Sequence, residues 1–383
     1  MLKRLVHYTL LAVILLGVPA ACAWLGGYDE IWEGVKSFPP RTEDFGLRPE
    51  NLWNCRCPFS WPVFLGMAAF TLVCFRPFLL RIRRCRRIGS RPDVKQRRRP
   101  FPWWGWAGVL LILVFWTLSW SRIPSLKSIQ PHISYFPIWG GYILLVNALC
   151  IRRSGSSPLT AHPLAYSVLF PVSSLFWWFF EYLNRYVWNW YYLGVGAMSA
   201  GEYTFYATIC FSSVLPAVAA TAAWLHTFPA FADENFRDLA RVDLRRPQWV
   251  LFMSGFAALG LAGIVFFPQY TFPLLWISPC MVFLLVQFLL GERSVLDLTA
   301  KGDWSLFYRY SIAALICGLC WETWNFHAVA KWVYAVPYVH AFQIWEMPLI
   351  GFAGYLPFGV ECATVTAWIL PALVENGEEG SES

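Results

Sequence analysis

The chain has 383 residues, of which 57% are hydrophobic and only 14% charged, with a net charge of +7 and a positive mean hydropathy. Soluble domains carry about 25% charge, and a soluble fold of this size has nowhere to hide so much apolar surface, so much of the chain must face lipid. The excess positive charge does not point to nucleic acid: eleven Lys/Arg crowd between Arg76 and Arg99, flanked by apolar runs, where the positive-inside rule reads a cytoplasmic loop.

At the N-terminus, Lys3 and Arg4 precede an apolar run from Leu5 to Leu16, and Ala21-Cys22-Ala23 has the form of a signal-peptidase site. A retained first helix fits the same residues equally well. From there, apolar runs and loop charges predict about ten transmembrane helices, over 5–25, 58–80, 102–121, 136–151, 163–183, 202–225, 248–267, 271–291, 305–323 and 344–370. The acidic and mixed loop 26–57 belongs outside. The basic loop 76–99, which could also bind anionic lipid, belongs in the cytoplasm with Arg152-Arg153, the 237–246 segment and the 292–301 loop. Residues 371–383 are an acidic tail of disordered composition. Both termini then face the cytoplasm if the first helix is kept, and the expected residence is a bacterial cytoplasmic (inner) membrane. Aromatics make up 19% of the chain, with 23 Trp, residues that favour the headgroup level of a bilayer.

An internal repeat organises the rest. Arg98-Arg99-Pro100 with Trp103 matches Arg245-Arg246-Pro247 with Trp249, and Phe136-Pro137 with Trp139 matches Phe272-Pro273 with Trp276. Phe180-Glu181 with Asn184 echoes Trp321-Glu322 with Asn325, Trp190 and Tyr192 answer Trp332 and Tyr334, and Glu202 answers Glu346. All offsets lie between 136 and 147 residues and the order is kept throughout. The reading is an all-α polytopic protein: a two-helix N-terminal extension (1–97), a four-helix repeat (98–225), a cytoplasmic linker (226–244) and a second four-helix repeat (245–370). An even helix count makes the repeats parallel, related by an axis along the membrane normal.

Ionisable residues inside spans are costly and face a protein interior or a wet cavity. Five carboxylates qualify: Glu181 and Glu322 at the ends of outward helices, Glu202 and Glu346 at the starts of the returning ones, and Glu361, deeper, in YLPFGVE. The first four fall at similar depth and would meet around one central cavity. Asn184 and Asn325 follow their glutamates by three residues, on the same helical face. Trp190, Tyr192, Trp332 and Tyr334 supply an aromatic wall, and Arg185, His327 and Lys331 stand ready to offset charge. A plainer reading puts any of the four near-end glutamates in the interfacial zone, paired with Arg185 or Lys331 and only pinning the loops, and gives Glu361 a helix–helix hydrogen bond. No zinc motif, phosphate-cradling loop or serine elbow is present, the six His are dispersed, and Cys317 and Cys320 lack the second pair a metal site needs. Neither a metal nor a cofactor is expected.

At these carboxylates the sequence resembles the small membrane-embedded lycopene cyclase domain family, in which two domain copies, heterodimeric or fused, work together. That family has a Trp-Asp-like pair ending one helix, a Trp-x-Tyr/Phe segment, then a Pro-x-Glu-Glu-x-x-Phe motif starting the next helix. Trp321-Glu322, Trp332-Val333-Tyr334 and Glu346 keep that order, as do Glu181, Trp190-Tyr191-Tyr192 and Glu202 through Phe205. The resemblance covers about 135–225 and 271–370. The second glutamate of the motif is Tyr203 in one copy and Met347 in the other, and its proline is missing, with Pro348 after Glu346 instead. The resemblance implies an isomerase that protonates a carbon–carbon double bond in an isoprenoid or carotenoid chain. Glu202 and Glu346 would be the acids, Glu181 and Glu322 their partners, and aromatic faces would stabilise the carbocation. A lipid or small-molecule carrier and a non-catalytic membrane assembly protein are the alternatives from other classes.

Overall fold

In the computed structural model, residues 2–27, 56–89, 99–121, 123, 135–196, 198–237, 239–291 and 294–370 are described. Most of the loop 26–57, the basic residues 90–98 and the acidic tail 371–383 therefore lie outside the described residues. The described chain is mostly helical. Helix α1 is Leu2–Leu25, α2 Trp61–Gly89, α3 Trp103–Trp120, α4 Tyr135–Ser154 and α5 Pro163–Val187. A strand β1, Trp190–Leu193, leads to α6, Ala200–Phe211, and α7, Val214–His226. After the linker come α8, Pro247–Phe266, α9, Ser278–Leu290, and α10, Ser305–Asn325. Strand β2, Lys331–Tyr334, and α11, Tyr355–Ile369, complete the chain.

Six helical segments are long and apolar enough to cross a membrane, and the bent pair Pro268–Trp276 and Ser278–Leu290 adds a seventh if its 44° break is one span. Bare apolar side chains such as Trp103, Trp106, Leu110 and Leu251 cover the outside of these helices, as a lipid-facing surface requires. The chain is an integral membrane protein. Helix α10, which carries Arg309 and Glu322, is not among the six. Most of its residues are buried by other helices, so it can carry polar groups that a lipid-facing helix could not. In the N-terminal extension α1 covers the expected 5–25, and α2 covers the expected 58–80 from Trp61 onward.

Close packing follows from small residues. A Cβ on Gly108 would lie 2.6 Å from the Gly141 carbonyl oxygen, and one on Gly141 equally close to that of Gly108, so α3 and α4 touch backbone to backbone. Helices α5, α7, α10 and α11 form the centre of the bundle. Trp139 on α4 packs on Trp321 of α10 with ring centres 5.1 Å apart, and Phe176 of α5 stacks on Phe358 of α11 at 5.9 Å.

The two ends of the bundle differ in chemistry. At one end the 226–244 linker is a web of ion pairs: Asp233 binds the buried Arg309, Arg237 lies 3.1 Å from Asp303, and Arg245 lies 2.8 Å from Asp297. At the other end β1 and β2 pair antiparallel, Trp190 opposite Tyr334 and Tyr192 opposite Trp332.

Three expected helices differ from the sequence reading. The 202–225 segment breaks at Ser212 and Ser213, whose hydroxyls bond back to the Ile209 and Cys210 carbonyls, a local competition that bends helices. The 271–291 segment bends after a 3₁₀ turn, Phe272–Trp276. Most consequentially, 344–354 is not α-helical. Gln343–Ile344 pairs with Met347–Pro348 as a short hairpin, a 3₁₀ turn follows, and α11 begins only at Tyr355. Pro348 has no N–H to give a helix and disfavours helical geometry in the residue before it.

Candidate functional site

The site is built from the ribbon end of α5 and α10. Asn184, in the last turn of α5, donates to the Trp190 carbonyl at 2.6 Å and accepts from the Asn189 N–H at 2.9 Å. Asn325, at the end of α10, donates to the Trp332 carbonyl at 2.7 Å and accepts from the Trp332 N–H at 2.9 Å. Each asparagine thus fastens the first residue of the Trp-x-Tyr unit to the helix carrying its glutamate. The two fastened strands then pair with one another.

This arrangement turns the aromatic side chains back onto the carboxyls. Glu181 Oε1 accepts from the Tyr192 hydroxyl at 2.6 Å, from Trp190 Nε1 at 3.0 Å and from Trp177 Nε1 at 3.1 Å. Glu322 Oε1 accepts from the Tyr334 hydroxyl at 2.7 Å and from the Tyr355 hydroxyl at 2.9 Å, while Trp332 Nε1 donates to the Tyr334 oxygen at 2.9 Å. Both glutamates are fully buried, and in both the second oxygen, Oε2, has no hydrogen-bond partner among the described residues.

The neighbours exchange places between the two halves. Four residues before Glu181 stands Trp177, and four before Glu322 stands Gly318. The Tyr355 ring occupies the space a side chain at 318 would need, 2.5 Å from the position of a Cβ there. An indole donor on the same helix serves Glu181, and a phenol donor from α11 serves Glu322.

The donors line a cavity of about 210 Å³, with Trp276, Trp321 and Phe358 completing its aromatic wall. Trp190, Tyr192, Trp332 and Tyr334 are in the lining. Asn184 and Asn325 are not, and act on strand backbone instead. Glu181 and Glu322 stand behind the aromatic layer and reach the cavity through the hydroxyls of Tyr192, Tyr334 and Tyr355.

The other expected acids lie elsewhere. Glu202 is exposed at the third position of α6, where its Oε2 accepts the Ser199 N–H at 2.7 Å while the Ser199 hydroxyl accepts the Glu202 N–H, a capping box. Glu346, in the hairpin rather than on a helix, takes Lys331 Nζ at 2.5 Å. Two carboxyls thus stand in the shell behind the cavity, and two are tied into a cap and an ion pair, each one residue before a cavity-lining side chain, Tyr203 and Met347. Glu361 is fully buried on α11, one turn past the cavity residue Phe358, and neither oxygen has a hydrogen-bond partner among the described residues. Of the expected cations, Arg185 is buried with its guanidinium 5.5 Å from the Trp188 ring, His327 packs edge-on against Trp120, and Lys331 serves Glu346.

Sequence reasoning missed Trp177, Tyr355, Trp276 and Phe358. The pairing of Trp177 and Gly318, four residues before each glutamate, was the signal available for the first two. Among the described residues no group of three or more His, Cys, Asp or Glu is placed to hold a metal ion. No family model matches the chain, and neither a curated protein nor a solved structure matches it.

Proposed function

We propose that the chain is an intramembrane enzyme that takes the unsaturated end of an apolar, isoprenoid-like lipid into the aromatic cavity and transfers a proton to a carbon–carbon double bond. The observation that carries this reading is the matched burial of Glu181 and Glu322, each held on one oxygen by donors that line the cavity, one tyrosine and two tryptophans for Glu181 and two tyrosines for Glu322. Glu322 has no cation against it and one oxygen free of donors among the described residues, a setting that favours the neutral acid over the carboxylate.

The proposed step runs through a tyrosine. With Glu322 protonated on Oε1 and the hydroxyl of Tyr334 or Tyr355 turned from Glu322 toward the alkene, the phenol O–H bond breaks as its proton forms a C–H bond, and the Glu322 proton passes to the phenol oxygen, leaving a carboxylate. The carbocation left on the neighbouring carbon faces the indole and phenyl rings of the wall, a cation–π contact of about 0.5–2 kcal/mol per ring. Attack by a second double bond closes a ring, and loss of a proton from an adjacent carbon back along the same path restores Glu322. The outcome is an isomerisation with no co-reactant. A carrier would call for acids near the middle of the spans; Glu361 lies there, whereas Glu181 and Glu322, whose donors line the cavity, sit close to the ribbon ends of their helices.

The same reading treats the chain as about ten spans in two parallel four-helix units, with the charged end in the cytoplasm, both termini there, and the whole in a bacterial inner membrane. Its support is the ribbon register, in which Trp190 faces Tyr334 and Tyr192 faces Trp332, as a two-fold axis between equivalent strands would require. The matching Asn184 and Asn325 clasps point the same way.

The test is conversion in heavy water. Purified protein in lipid nanodiscs, given lycopene and other acyclic polyprenes, should yield cyclised or isomerised products carrying one deuterium, and Glu322→Gln should not. Folded wild-type protein that neither converts nor deuterates any of these substrates would overturn the proposal.

A further inference from the structure

The aromatic cavity is too small for a whole polyprenyl lipid. At about 210 Å³ it is only modestly larger than the roughly 150 Å³ apolar cavity that takes up one benzene. A ring-sized end fits, and the rest of the chain must lie elsewhere. A second hollow, a groove of about 750 Å³, runs between the start of α2 and the segment before α9. Trp61 and Val63 form one bank, Tyr270, Pro273 and Tyr338 the other. Phe272 belongs to the lining of both the groove and the cavity, so the two hollows adjoin at this residue. Among the described residues no Asp, Glu, Lys, Arg or His lines the groove, whose lining is mostly apolar and aromatic.

The groove's far bank is braced. The Ser60 N–H donates to the Tyr338 carbonyl at 2.8 Å, and the Tyr338 N–H to the Cys57 carbonyl at 3.0 Å. The Tyr270 and Tyr338 rings stack 5.9 Å apart, and Phe59 and Phe64 close on Phe342 at 5.9 and 5.5 Å. Tyr338, Phe342 and Trp345 all have left-handed backbone, with φ of 61°, 53° and 56°. For bulky residues this conformation is strained, and it persists at ligand clamps where the surroundings hold it in place.

We propose that this groove binds the extended, uncharged tail of the lipid whose unsaturated end occupies the cavity, the chain passing beside Phe272. The proposal rests on the cavity being the substrate site, and it narrows the substrate to long polyprenyl or carotenoid-like chains over short terpenes.

Two photoreactive polyprenes test it on the full-length protein in nanodiscs, one with a diazirine at the unsaturated end and one with a diazirine far along the tail. After irradiation and digestion, the first should modify cavity peptides around Met198–Tyr206 and the second the segments 58–67 and 269–273. Val63→Trp, which narrows the groove from outside the cavity lining, should sharply reduce groove labelling by the tail probe, while a ten-carbon end probe still labels the cavity. Cavity labelling by the end probe, with tail-probe adducts spread over α3 or absent from the groove, overturns the groove and leaves the cavity reading intact. No cavity labelling by the end probe overturns both.

Discussion

Glu181 and Glu322 receive similar hydrogen bonds from different neighbours, and the difference decides which substitutions matter. General acids contribute about 10²- to 10⁴-fold to rate, so Glu322→Gln should lower turnover by about that much with thermal unfolding little changed. Tyr355→Phe removes one donor to Glu322 and should cost less, because Tyr334 still donates. Glu202→Gln should leave turnover unchanged, since glutamine closes the same capping box. Glu361 tests a separate point. A buried carboxyl without hydrogen bonds is a burden on stability, so Glu361→Met should raise the unfolding temperature and leave turnover intact. A collapse of turnover in a stable Glu361→Met protein would make it a second acid.

Among elements, the ribbon is where the site takes shape. Asn325 alone satisfies both the N–H and the carbonyl of Trp332, so Asn325→Ala should destabilise the protein by about 1–3 kcal/mol. Circular dichroism melts in detergent would register this, and turnover should fall with it as Trp332 and Tyr334 shift. Gly318→Ala pushes a methyl group into the Tyr355 ring; overpacking of this kind costs about 1–3 kcal/mol and should detach Tyr355 from Glu322.

These elements also mark where sequence stops being informative. The asparagines, the Trp-x-Tyr units and the helix-ending glutamates stood out because each is polar or aromatic at a fixed offset in an apolar chain. Glu346 stood out by the same rule, yet Pro348 keeps it off the helix and Lys331 pairs with it, while Glu202 does ordinary capping work. Tyr355 and Trp177 merged into runs of similar residues. The strand pairing of 190–193 with 331–334 joins segments far apart in the chain, and hydropathy carries no trace of such a partnership.

At the scale of the whole molecule, charge and aromaticity separate to opposite ends. Asp233 is the linker's hold on Arg309, and removing one member of a buried pair costs about 3–5 kcal/mol. Asp233→Asn should therefore lower the unfolding temperature more than Asp243→Asn, whose partner Arg246 is largely exposed. Orientation can be read with single reporter cysteines in a cysteine-depleted background. A thiol at Arg241 should react with membrane-impermeant maleimide only after the cell is opened, one at Gln343 in intact spheroplasts. The reverse pattern would turn the proposed topology upside down.

The strand register has a consequence for how such a molecule can be assembled. A Trp-x-Tyr strand facing a second Trp-x-Tyr strand in this alignment is self-complementary, so two identical protomers meeting face to face would form the same seam. Covalent continuity through the linker is then a convenience and not a requirement. Residues 1–238 and 239–383, produced as separate polypeptides in one cell, should find each other in the bilayer and copurify, whereas exchanging Tyr192 and Tyr334 for proline should leave them as strangers.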